Sequence, residues 1–97
     1  MKTNSYKFSE PRNTACFTCT HVLKEDSFIL YVSHDSEGDW QFLCGADHHE
    51  YSQAVVISLQ QATELDSSIN ELHNMPRGVA AERNSLKDRW SPFKLAE

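Results

Sequence analysis

Three cysteines and a pair of adjacent histidines are the residues of this chain best equipped for chemistry. Cys16 and Cys19 have Cys-x-x-Cys spacing, and Cys44 is followed, after Gly45-Ala46-Asp47, by His48 and His49. Thiolate and imidazole ligands so spaced can close a tetrahedral zinc site. Cys16, Cys19, Cys44 and His48 therefore form a candidate metal quartet, and a zinc-stabilised structural domain is one functional reading. Against it, residues i and i+3 of a regular strand point to opposite faces, and Cys16-Phe17-Thr18-Cys19 lacks the Gly or Pro of a zinc knuckle's turn. Free cysteine is at home as a small buried hydrophobe, so Cys44 and one of the first two are expected in the core and no cofactor is expected.

Cys44 with His48 or His49 also has the makings of a nucleophile and its base, with Asp47 or Glu50 to orient the ring. A catalytic thiolate prefers electropositive surroundings, and the nearest lysine or arginine in sequence is Lys24. Catalysis at Cys44 is thus disfavoured. No run matches a calcium loop, a glycine-rich phosphate cradle, a nucleophile elbow or a paired-histidine helix, so no catalytic residues are assigned and the chain is not expected to be an enzyme.

The carboxylates are more telling. Between Glu25 and Pro76 there is no lysine or arginine, while ten of the fourteen acidic residues and four of the five histidines fall in that window. The middle carries −10 and the flanks, with nine basic and four acidic residues, +5, which gives the net −5. A fold built on that middle presents a negative face, which repels phosphate backbones and draws cationic partners by salt-sensitive attraction. Asp35, Glu37, Asp39, Asp47 and Glu50 are the candidate partner-binding carboxylates, with Trp40 beneath them. The basic C-terminal flank, Arg77 to Lys94, is interrupted by Glu82 and Asp88, which argues against nucleic acid.

These residues need elements to hold them. Residues 1–13 are polar and contain Pro11 and Asn13, and read as a flexible N-terminal arm; residues 14–97 read as a single domain. Thr14 to Leu23 alternates and predicts a first strand, and Phe28 to Ser33, after a four-residue polar turn, predicts a second paired to it as a hairpin. His34 to Asp39 is a turn, and Trp40 to Cys44 alternates again, extending the pair into a meander. The apolar run Ala54 to Ser58 reads as an interior strand. Ser58-Leu59-Gln60-Gln61 is a capping box, Asp66-Ser67-Ser68 is a second cap signal, and Ala62, Leu65, Ile69 and Leu72 keep a helical stripe. Two short helices, or one kinked helix, are expected before Pro76, and Val79 to Arg83 is a last strand. The fold class is α+β: an antiparallel sheet of about five strands with one or two short helices on one face.

With 39% hydrophobic and 24% charged residues the composition is that of an ordinary globular domain. Met1 to Tyr6 holds no apolar run of the kind a secretory signal needs, and no stretch approaches a membrane span. A cytoplasmic location with reduced thiols and no membrane contact is expected.

The string Ile29-Leu30-Tyr31-Val32, the acidic turn, Gly38-Asp39-Trp40-Gln41-Phe42, Gly45, Ile57-Ser58-Leu59, Asp66-Ser67-Ser68-Ile69, Pro76-x-Gly78 and Ala80-Ala81-Glu82-Arg83 resembles a bacterial family of domains of unknown function. That family is catalogued among the immunity proteins of polymorphic toxin systems. The resemblance runs from about Cys19 to Arg83 and implies an α+β domain that neutralises a partner toxin by binding it, with no catalytic residues to carry over. Gln41 stands where the family commonly has a basic residue, Ser67 where it often has proline, and Cys16, Cys44, His48 and His49 lie outside its pattern. The function expected is a small cytosolic binding protein, of immunity or antitoxin type, that docks a basic protein on its acidic surface.

Overall fold

In a computed structural model, described for residues 6–24, 28–44 and 54–95, the chain forms one mixed six-stranded sheet with short helices. In chain order the elements are β1 (Ala15–Cys19), α1 (Thr20–Lys24), β2 (Tyr31–His34), β3 (Trp40–Leu43), β4 (Ala54–Ser58), α2 (Leu59–Leu65), a 3-10 helix (Ser67–Leu72), β5 (Val79–Glu82) and β6 (Ser91–Lys94). The α+β class is as expected. The sheet is neither wholly antiparallel nor five-stranded: its order is β4-β1-β3-β2-β5-β6, and β1 runs parallel to β3. None of the helices among the described residues is long and apolar enough to cross a membrane.

The expected hairpin between the first two strands does not form. Thr20 to Lys24 coils into a helical turn instead of prolonging β1. Its place beside β1 is taken by β3 on one side and β4 on the other. The hairpin that does form is β2 with β3, where Val32 faces Phe42 and His34 faces Trp40. Two other expectations shift: β4 lies at an edge and not inside the sheet, and the aromatic tail supplies a sixth strand on β5.

Alternation sorts the side chains into two faces. Cys16 and Thr18, Ile57, Trp40 and Phe42, Val32 and His34, and Ala81 are buried on the covered face. Against them lie Leu59 and Ala62 of α2, Ile69 and Leu72 of the 3-10 helix, and Met75. Both helix starts follow the caps written in the sequence. The Ser58 side chain accepts from the Gln61 N–H at 3.0 Å, and Asp66 Oδ1 accepts from the Ser68 N–H at 3.0 Å. Thr18 Oγ1, fully buried, donates to the Phe42 carbonyl at 2.6 Å and so carries no unmet polar cost into the core.

Residues 6–13, which the composition marks as an arm, are part of the packing. Phe8 is only 5% exposed and meets the Trp40 ring edge to face at 5.0 Å. Lys7 N–H donates to Asn70 Oδ1 at 3.0 Å, and the Arg12 carbonyl accepts from the Gln60 N–H at 3.0 Å. One aromatic anchor and two backbone bonds outweigh the polar composition around them.

Candidate functional site

The acidic turn between β2 and β3 is built by one of its own carboxylates. Asp35 Oδ1 accepts from the Glu37 N–H at 3.0 Å and the Asp39 N–H at 2.9 Å, while its backbone closes the turn to Asp39 and Gly38. Gly38 has φ +92, a left-handed conformation that glycine adopts without steric cost. Asp35 therefore shapes the turn, and Glu37 and Asp39 are the two carboxylates it displays, both exposed. A cation stands beside them: the Arg77 guanidinium packs over Gly38 so closely that an added Cβ would lie 2.9 Å from Nη2. Its chain is fixed there by the Gly78 N–H, which donates to the His34 carbonyl at 2.7 Å. The turn thus holds three acidic side chains and one basic neighbour.

Trp40 lies under this turn and inside the core, at 1% exposure. His34 stacks on it with ring centroids 3.9 Å apart and an interplanar angle of 10°, and His34 Nδ1 is 2.8 Å from the Met75 carbonyl. Its indole Nε1–H donates to Glu10 Oε2 at 2.8 Å. Trp40 holds the turn in place and offers no surface to a partner. Glu10 Oε1, the other carboxylate oxygen, is buried with no hydrogen-bond partner among the described residues.

The remaining two binding candidates, Asp47 and Glu50, fall outside the described residues, as does His48 of the metal quartet.

Cys16, Cys19 and Cys44 are buried thiols with no disulfide among them. Burial pushes the Cys16 thiol up to about 12, which keeps it protonated and unreactive at neutral pH. Among the described residues no three His, Cys, Asp or Glu side chains gather to hold a metal ion.

Two shallow clefts lie at the far end of the sheet, of about 270 and 320 Å³. They share Glu82, Arg83 and Asn84; Leu30 and Tyr31 line one, Asp88, Arg89 and Ser91 the other. Arg83 is committed to the fold here. Its Nη2 meets Asp66 Oδ2 at 2.8 Å, Nε and Nη2 donate to the Ile29 carbonyl, and its guanidinium covers the Trp90 ring. From sequence the basic flank that contains Arg83 reads as a solvated face or as an internal partner for the acidic middle, and the contact with Asp66 is of the second kind.

Comparison with protein families, with curated proteins and with solved structures finds no match. The site must be read from its own geometry. That geometry provides displayed carboxylates on a pinned turn, and an open sheet face on which Val56 and Phe93 stay exposed and Tyr31 leans towards Phe93 at 6.2 Å between centroids. Strand alternation in the sequence identifies these open-face residues once the covered face is known.

Proposed function

We propose that this chain is a small binding protein that docks a basic protein partner, with Glu37 and Asp39 as its forward charges and no catalytic step of its own. The observation that carries the reading is the Asp35 turn: a carboxylate spent on two backbone N–H groups holds two others outward in a fixed arrangement. Preorganised charge of this kind steers diffusional encounter and raises the association rate more than the final affinity. Asp47 and Glu50 extend the acidic character along the sequence. Neutralisation of a basic toxin is the form of this function that the family resemblance favours, and cytoplasmic residence fits it.

Affinity capture tests the reading. The immobilised chain is offered a cell lysate at low and at physiological ionic strength, and the retained protein is identified. A basic partner, released by added salt and lost with Glu37→Lys and Asp39→Lys together but kept with Glu64→Lys on α2, is expected. A partner that is not basic, or retention indifferent to salt and to the turn substitutions, overturns it.

A further inference from the structure

Strand β4 has the composition of a strand with neighbours on both sides and the position of one with a single neighbour. Ala54-Val55-Val56-Ile57-Ser58 contains no charge, proline or glycine, yet among the described residues β1 alone pairs with it. The opposite edge is guarded. β6 contains Pro92, which has no N–H to offer, and Lys94, both of which stop a stray strand from adding on. An uncharged, β-branched edge without such guards is a template for strand pairing.

The register shows which backbone groups β4 presents. Leu59 N–H donates to the Thr14 carbonyl at 2.9 Å, one step beyond the Ala15–Ser58 pair. Hydrogen-bonded pairs alternate along an antiparallel ladder, so Val55 and Ile57 turn their backbone groups to β1. Ala54, Val56 and Ser58 turn theirs away from the sheet. The Val56 side chain stands on the open face, 62% exposed.

We infer that β4 pairs antiparallel with β4 of a second copy about a two-fold axis through Val56, joining two six-stranded sheets into one. In this register Val56 meets Val56, Val55 meets Ile57 and Ala54 meets Ser58. The Val56 N–H and carbonyl bond reciprocally, and each Ser58 N–H reaches the other copy's Ala54 carbonyl, the Ser58 carbonyl being engaged as the cap of α2. Self-pairing suits this edge better than a foreign basic strand. The three β-branched side chains at the centre of the junction meet apolar partners, Val55 with Ile57 on the covered face and Val56 with Val56 on the open face. No carboxylate faces another there, although each chain carries a net −5.

Sedimentation equilibrium on the full chain tests this. The parent is expected to be a dimer. Val56→Lys sets two ammonium groups opposite each other and is expected to weaken self-association at least about tenfold, with far-UV circular dichroism unchanged because position 56 is exposed. Phe93→Lys, at the guarded edge, is expected to leave the dimer intact. Amide exchange at Val56 in the parent gives a readout independent of any variant's folding, and its protection is expected to rise with protein concentration. A parent that is monomeric at every concentration, a Val56→Lys dimer as tight as the parent's, or a Val56 amide whose exchange ignores concentration overturns the inference.

Discussion

Arg83 lies over the Trp90 ring, its guanidinium carbon 4.0 Å from the centroid, while the same group holds Asp66 at 2.8 Å. One side chain thereby ties the segment after β5 to the cap of the 3-10 helix and to the aromatic residue that leads into β6. Arg83→Met leaves Asp66 Oδ2 and the Ile29 carbonyl without the donors that Arg83 supplies, and is expected to cost about 3 kcal/mol or more by urea unfolding. Arg83→Lys keeps the charge but not the planar fork, and an intermediate loss is expected. Equal stability of Arg83→Lys and the parent would show that the fork and the ring contact contribute nothing.

Phe8 anchors the N-terminal residues on Trp40. Phe8→Ala empties a buried aromatic site, and a loss of about 3 kcal/mol is expected in the same assay. A shift within error would return residues 6–13 to the status of an undocked arm.

Gly38 combines a left-handed backbone with the Arg77 guanidinium at its open side. Gly38→Ala is expected to destabilise by about 1–2 kcal/mol from the backbone alone. Pairing it with Arg77→Ala removes the steric part only, so most of the loss should persist in the double variant.

Stability should fall at alkaline pH. Burial raises the Cys16 thiol from 9.0 to about 12, so between those values the native chain binds the proton that the unfolded chain has released. Stability from this group is complete below pH about 9 and declines as pH rises towards 12. Tyr31, raised by burial and then by the Glu82 carboxylate, acts in the same direction, as does Tyr6, raised by burial and Glu10 against the lowering effect of Arg12. Urea midpoints followed upward from neutral pH should decline, and Cys16→Ala should flatten the decline.

The three buried thiols should resist an aromatic disulfide reagent in the native protein and react together on unfolding. Rapid native labelling of Cys44 would reopen the nucleophile reading set aside on electrostatic grounds.

Local signals translated well from sequence to structure; of the expected strand pairings, β2 with β3 formed and β1 with β2 did not. Ser58 and Asp66 cap the helices they were expected to cap, because a cap needs only residues three or fewer apart. The partner of β1 is a long-range choice. Adjacency favours a hairpin with β2, but the helical turn at Thr20–Lys24 breaks the strand first. Five apolar or small residues in a row mark β4 as a strand and say nothing of how many neighbours it has. At the acidic turn the residue types were legible, whereas the division of labour was not: Asp35 bonding inward and Glu37 and Asp39 facing outward depend on backbone direction.

The parallel junction divides the sheet into unequal parts. β4 and β1 form one, β3, β2, β5 and β6 the other, and the register across the seam is Phe17 with Gln41 and Thr18 with Phe42, reinforced by the Thr18 hydroxyl. Parallel ladders hold slightly less per residue than antiparallel ones. The seam is therefore expected to part first under partial unfolding, releasing β1 and β4 as a unit while the four-stranded remainder keeps its ladder.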